Sequence, residues 1–562
     1  MRHSAPSGRL HSMEAGLYLA RIRTQALRIP AADVSLPLVL LLMSLIGYKA
    51  ARKVVFHMAH ASETHGFALV VLCCVAALPF AGIRYAAFPR LLRAIVRGIG
   101  VVVLVQVLFD AFGAVPPAPN ILFGEGGEHA LFFRYGAMLA VASGIASLWR
   151  PIFLLPLFYY YIAFRLLIGP AAGIPVVDTD YLSMLDAGAF AVIGGTVAIC
   201  ATSTWTATKL PWLRTLVPEA DADRLRERTC GLVWAAVVGA HLGNYFCSGL
   251  AKLYAGGDAP WTWLLYNPTQ TAIVIGLERG DNPLATFPTL LQFSWDAISN
   301  FALAFNFFVL GAQLLSPLAI LRVRWLLIFT LLFDVFHIGV YMTLGALFHF
   351  WIAVNVIIYS SAWRLRDSDV TPIMKVVCIL TALFGHFAFY TNWLGWLDGA
   401  KLASPSFVAI TRDGREVPVP SVYFGIYSYT IAQGGMYIPD NHFSFRIGGN
   451  NLNRTDWADA KECGPHILPQ QDTGVTLAAV EGLVRNTHRF MERYPAIKND
   501  NLYYLYPHHM QPNPFVFRDF NRLNIDDIVG YKYVVESVCL TLRDGALVRD
   551  VKKRQEYRYD VR

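Results

Sequence analysis

LVWAAVVGAHLGNYFCSGLAKL, residues 232–253, carries one formal charge, Lys252, in 22 consecutive positions. About 20 apolar residues in a helix cross the roughly 30 Å hydrocarbon core of a bilayer, and this stretch has that length and composition. It is not uniformly apolar. His241, Asn244, Tyr245, Ser248 and Lys252 recur at intervals of three or four, so a helix gathers them on one face. A polar stripe on a membrane helix turns toward a bundle interior or a water-filled cavity. The segment therefore predicts an enclosed helix of a polytopic bundle.

The rest of the chain fits. Of 562 residues, 55% are hydrophobic and 15% charged, against about a quarter charged in a soluble protein. Further apolar runs are Val34–Ala51, Phe67–Ile83, Gly98–Phe112, Ala130–Leu148, Pro151–Ile168, Leu182–Trp205, Ala297–Leu318, Trp325–Leu347, Phe348–Trp363 and Ile373–Phe389. They lack the period-two alternation of a transmembrane barrel, and helix is the form that satisfies its own backbone in lipid. The expected fold is an all-α polytopic membrane bundle of about 10–11 transmembrane helices, followed by a small α+β extracytoplasmic domain. The expected divisions are a basic, interfacial segment over 1–30, the helical domain over 31–400 and the soluble domain over 401–562.

The net charge of +8 reads as topology rather than as nucleic-acid binding. Arginine and lysine mark residues 2–28, the Arg84–Arg97 connection, Arg150, Lys209–Arg228, Arg322 with Arg324, and Arg364 with Arg366. Acids occupy the alternate connections: Glu125 and Glu128, Asp178 and Asp180, Glu278 and Asp281. The positive-inside rule puts the basic set in the cytoplasm, and eleven spans then put the C-terminal domain outside. Lys49, Arg52 and Lys53 break the pattern.

From Leu402 the texture changes. Asp413-Gly414 and Asp544-Gly545 are hairpin turns, joining Ser406–Thr411 to Glu416–Val419 and Tyr531–Thr541 to Ala546–Val551, with Gln555–Val561 as a further strand. Thr476–Arg493 has helical spacing and stops before Pro495. Cys463 and Cys539 are the two cysteines of this domain, which an oxidising compartment would allow to join. The histidines have no recognised metal-ligand spacing, and no metal is predicted.

Two clusters inside apolar spans point to chemistry. Burial disfavours the charged form of an amine, and a neutral Lys252 is a general base that a solvated lysine is not; the competing reading is a lysine that snorkels to the interface. Asp334, His337 and Tyr341 recur at three and four. A carboxylate one turn from a histidine orients the ring and raises its basicity; a structural tie between helices is the plain alternative.

At these residues the chain resembles a known family. Asn244-Tyr-Phe-Cys-Ser-Gly-Leu-Ala-Lys252-Leu is similar to the Tyr-Phe, small, Gly, x, x, Lys-Leu segment of vitamin K-dependent γ-glutamyl carboxylase and its bacterial relatives, the HTTM (horizontally transferred transmembrane domain) family. Trp149-Arg-Pro-Ile-Phe-Leu-Leu-Pro-Leu-Phe-Tyr-Tyr resembles the family's Arg, Leu-Leu-Pro, aromatic segment, and Phe336-His337 through Phe348-His-Phe-Trp-Ile-Ala its Phe-His, apolar, aromatic pattern. The motifs keep their order over about residues 100–360. The resemblance implies an intramembrane enzyme in which Lys252 is the base that deprotonates a hydroquinone. It names a reduced, vitamin K-like quinone as cofactor, with Lys252, His337, Asp334 and His241 catalytic and Asn244, Tyr245 and Tyr341 at the cofactor. Membrane lipids, a lipophilic quinone and a secreted peptide or protein are the implied partners. One departure stands out: the carboxylase has Trp-Asn-Asn-His where this chain has Asp178-Thr-Asp180-Tyr181, which puts glutamate carboxylation itself in doubt. The alternatives are a non-catalytic maturation or export partner for a secreted peptide, and a transporter, although no internal repeat is present.

Overall fold

The computed structural model describes residues 31–112, 130–171, 181–203, 221–255, 259–395, 399–425, 435–439, 442, 473–505 and 509–561. Its longer helices are α1 (Ala31–Ala61), α2 (Glu63–Ala77), α3 (Arg90–Phe112), α4 (Ala137–Ser147), α5 (Leu154–Ala171), α6 (Leu182–Ala201) and α7 (Ala222–Tyr254). There follow α8 (Thr271–Glu278), α9 (Pro288–Asn300), α10 (Ala302–Leu315), α11 (Val323–Leu344), α12 (His349–Ala362), α13 (Pro372–Phe384) and α14 (Leu477–Arg493). Among the described residues, eight helical stretches are long and apolar enough to cross a membrane, and His349–Ala362 and Pro372–Phe387 are shorter apolar helices. By helix length and composition the chain is a multi-pass membrane protein.

The quoted stretch is the axis of the bundle. It lies in α7, which begins ten residues earlier than the apolar run because Ala222–Gly231 continues the helix into the basic connection. Helices α1, α6, α10 and α13 pack around it. At Gly239 an added Cβ would sit 2.4 Å from the Cys378 carbonyl oxygen, so only glycine lets α7 and α13 approach this closely. α11 is peripheral, and Ile328, Leu331, Val335 and Ile338 project from it, exposed, as a lipid-facing surface requires.

Two sequence expectations are corrected here. Lys49, Arg52 and Lys53 lie within α1, which runs on to Ala61, so they are not a connecting loop. Arg52 pairs with the buried Asp186 on α6 at 2.9 Å, and Lys49 donates to the Phe387 carbonyl at 2.8 Å. The Arg52 charge, answered by a buried carboxylate, carries no topological vote. The run Ala297–Leu318 is in turn two helices, α9 and α10, broken at Phe301.

Arg322 and the C-terminal part lie at opposite ends of α11. α11 starts after Arg322 and finishes at Gly345, whose φ of +79° ends the helix in the left-handed region. There Ala346 bridges to Met510 of the C-terminal part. At the basic end Trp149, Trp325 and Trp363 are exposed, each beside arginine, as tryptophans of an interfacial belt are.

The C-terminal part is a four-stranded antiparallel sheet in the order β2-β1-β3-β4: β1 (Lys401–Thr411), β2 (Glu416–Val419), β3 (Ile528–Arg543) and β4 (Ala546–Asp560). Both hairpins form. The two strands expected after Gly545 are one, because a register shift at Ser537/Val538 absorbs the interruption. α14 begins at Thr476, whose side chain accepts from the Ala479 amide. Cys539 is disulfide-bonded; Cys463 lies outside the described residues, as do Asp178 and Asp180.

Acidic residues after α8 dock the sheet onto the bundle. Glu278 is buried and takes a two-pronged ion pair from Arg549 of β4, at 2.6 and 2.8 Å, and Ser404 Oγ donates to it at 2.7 Å. Asp281 accepts from Arg279 at 3.0 Å and from Ser421 at 3.1 Å; burial pushes its carboxyl up to about 6.

Candidate functional site

The polar stripe of α7 divides. His241 and Tyr245 turn toward α11 and α12, whereas Asn244, Ser248 and Lys252 turn toward the segment that follows α13.

On the first side, Asn355 of α12 is the hub. Its Nδ2 donates to the Tyr245 hydroxyl at 3.0 Å and to Asp334 Oδ1 at 2.8 Å, and its Oδ1 lies 2.9 Å from His241 Nε2. The Tyr245 hydroxyl lies 3.0 Å from His337 Nε2. Five polar side chains from three helices thus form one run: His241, Asn355, Asp334, Tyr245 and His337. All but Asp334, which is half-buried, are buried. The surroundings are aromatic. Tyr245 stacks on Phe333 with ring centroids 3.6 Å apart, and Trp351 meets its edge at 5.2 Å. His337 lies 4.9 Å from Phe348 and 5.7 Å from Trp351.

The donors and acceptors fix the protons. An amide oxygen only accepts, so His241 donates through Nε2. The Tyr245 oxygen accepts from Asn355, and we assign its own proton to His337 Nε2, 3.0 Å away, because the hydroxyl then donates as well as accepts. Neutral His337 then carries its hydrogen on Nδ1, a buried nitrogen with no hydrogen-bond partner among the described residues. The run ends in an N–H donor facing aromatic rings. A buried orphan of this kind costs about 1–3 kcal/mol and is the sort of group that a bound molecule or an ordered water satisfies.

The expected Asp334–His337 contact is not made: the carboxylate accepts from Asn355 and reaches the histidine only through Asn355 and Tyr245. Spacing of three along one helix puts the two side chains on neighbouring rows, but His337 turns inward and Asp334 sideways to α12. Tyr341, one turn further, is half-buried and takes no part in these bonds.

On the second side, Asn244 Oδ1 accepts from the Asn392 amide at 2.9 Å and Ser248 Oγ accepts from the Leu394 amide at 3.3 Å. Lys252 is 1% exposed, so it does not snorkel to the surface of the protein. Its Nζ donates to the Leu394 carbonyl at 2.7 Å and the Ser248 carbonyl at 3.4 Å, and lies 5.4 Å from the centre of the Trp263 ring. Gly395 packs against the Ala251 backbone. Asp186 accepts from the Tyr390 amide at 2.7 Å in the same segment. Lys252 and Tyr245, seven residues apart, are separated by about 10 Å along the helix axis.

Asn355 is the member of this run that residue spacing alone does not single out. The available signal was an amide in an otherwise apolar run, Phe348–Trp363, in a bundle that also buries two histidines. Asp110 and Asp186, also within apolar runs, have partners in Gln106 and Arg52. Among the described residues, no group of three or more His, Cys, Asp or Glu is placed to hold a metal ion. No protein-family model, curated protein or solved structure matches the chain.

Proposed function

We propose that the protein is an intramembrane enzyme that binds a lipophilic, hydroxyl- or carbonyl-bearing molecule against His337 and polarises its oxygen. The observation that carries this reading is the directed run from His241 and Asp334 through Asn355 and Tyr245 to the unpartnered Nδ1–H of His337. A polar chain in an apolar bundle is costly, and its open end is a donor where an oxygen acceptor fits.

A reduced quinone, the cofactor that the sequence resemblance implies, suits that open end in chemistry: the donor is buried and the walls are aromatic. Such a group, when bound, supplies phenolic protons and reducing electrons. His337 would bind its oxygen, and Phe348 and Trp351 would exclude water. Tyr245 and Asn355 would hold the imidazole so that Nδ1 is the donor, and Asp334 would place a negative charge at the far end, favouring a proton shift toward it. His337 is on this account an oxygen-binding donor, not the base.

Lys252 is the base that the resemblance names. Its two carbonyl contacts and the shared attachment of Asn244 and Ser248 to residues 392–394 favour a second use, fastening the segment that leads to β1. The positive-inside reading of the basic end, together with a disulfide at Cys539, supports an extracytoplasmic C-terminal domain. Eleven crossings, counting α1, α12 and α13, agree with that placement.

The test is to purify the protein in native lipid and identify lipophilic compounds that accompany it, in wild type and His337→Phe. A hydroxyl- or carbonyl-bearing lipid retained by the wild type and lost from an equally stable variant is the expected result. The same lipid complement in both proteins overturns the proposal.

A further inference from the structure

The C-terminal domain exposes three large apolar side chains in one place: Leu505 at 66%, Phe515 at 61% and Val516 at 47%. One residue gathers them. Asn521 accepts from the Tyr503 and Tyr504 hydroxyls through Oδ1, which fixes the turn that ends in Leu505. Its Nδ2 donates to the Pro514 carbonyl at 3.1 Å, which fixes the loop carrying Phe515 and Val516.

This loop is held on the membrane-spanning part. The Asn513 amide donates to the Gly280 carbonyl at 2.8 Å and its side chain to the Asn282 carbonyl at 3.1 Å. Its Oδ1 takes the Phe515 amide at 3.0 Å, so the anchor and the exposed phenylalanine are two residues apart. At Gly280, where φ is +70°, an added Cβ would strike the Phe517 ring at 2.5 Å. The chain then passes from Pro283 into α9, where Phe287, Leu290 and Phe293 are exposed at 57%, 44% and 69%. The hairpin turn of the sheet touches α9 as well: the Gly545 amide donates to Gln292 Oε1 at 2.9 Å.

We infer that the Phe515–Val516 loop, with Leu505, enters the interfacial layer of the bilayer that the helices cross, continuing the apolar face of α9. Three features select lipid as the occupant. The patch adjoins the exposed apolar face of α9, which leads directly into the membrane-length stretch Ala302–Leu321. Its side chains project from a turn and a loop, which suits a fluid surface. The Arg518 guanidinium lies 5.5 Å from the centre of the Phe515 ring, and Arg522 is exposed beside it, which sets cations at headgroup depth above apolar tips. The domain then has an attachment to the bilayer as well as to the helices, where Arg549, Ser421, Met510, Asn513 and Gly545 hold it. Its His509, whose ring meets Phe348 at 4.2 Å, is held over the aromatic wall of His337.

The inference is independent of the enzymatic reading and is tested on the full chain in lipid nanodiscs. A nitroxide-bearing residue replaces Phe515, with position 293 as the lipid-facing control and position 558, on the exposed side of β4, as the aqueous one. Collision with dissolved oxygen and with a water-soluble nickel chelate is measured at each. The expected result at 515 is the pattern of position 293, with oxygen favoured and nickel excluded. Nickel access matching position 558 overturns the inference. Exclusion of both reagents also overturns it, because that is the mark of a protein surface, whether a second copy or another stretch of this chain.

Discussion

Nζ of Lys252 lies 2.7 Å from the carbonyl oxygen of Leu394, a residue 142 positions later in the chain. The lysine that the sequence singles out as a base is thus also a fastening between the central helix and the segment leading into the sheet. Asn244 and Ser248 hold the same segment by its amides, so one face of α7 grips a stretch of backbone that has no secondary structure to satisfy it.

Lys252→Met separates the two uses. Loss of the fastening leaves the Leu394 carbonyl without this donor and should lower stability by about 1–3 kcal/mol, read as a fall in thermal midpoint in nanodiscs. Lys252→Ala with an added small amine adds a second readout, since an exogenous amine restores a base but not a tether. Turnover that returns with amine while the midpoint stays low would establish the catalytic use; an unchanged midpoint in Lys252→Met would show that the fastening contributes nothing.

Asp334→Asn keeps shape and removes charge. If the carboxylate acts only as a tie to Asn355, stability should drop by about 0.6–2 kcal/mol, the scale of hydrogen bonds between membrane helices, with ligand retention following stability. If it biases protons along the run to His337, ligand binding or turnover should fall well beyond that while the midpoint barely moves. Activity and stability falling in proportion would count against a functional charge at this position.

Lys498 offers a pH test in the C-terminal domain. It is buried, donating to the carbonyls of Phe520 at 2.9 Å and Leu523 at 2.6 Å, and burial lowers its pKa from 10.5 to about 8. Between those values the unfolded chain binds more protons than the folded one, so this group's contribution to stability rises with pH. The midpoint of the wild type relative to Lys498→Met should therefore improve as pH is raised from 8 toward 10.5. A flat difference over that window would contradict the assignment.

Topology is checked by fusions. A reporter after Arg562 should register outside the cytoplasm, and one between Lys209 and Arg228 inside it. Both on one side would refute eleven crossings and the outside placement of the sheet together.

The sequence by itself determined the membrane-spanning class, the hairpins and the residues that had to be enclosed. Each follows from local physics: the length of an apolar run, the φ angles of Asp-Gly, and the period that puts His241, Tyr245, Ser248 and Lys252 along one helix. Spacing along a helix fixes which side chains are neighbours on its surface, but not which way each one turns or what stands opposite. Only the tertiary structure decided that His241 and Tyr245 meet Asn355 while Ser248 and Lys252 meet Leu394, that Asp334 bypasses His337, and that Arg52 answers Asp186 inside the bundle. Those partners come from helices more than 100 residues apart, brought into register by packing such as the glycine contact of α7 with α13. That is information no single stretch contains.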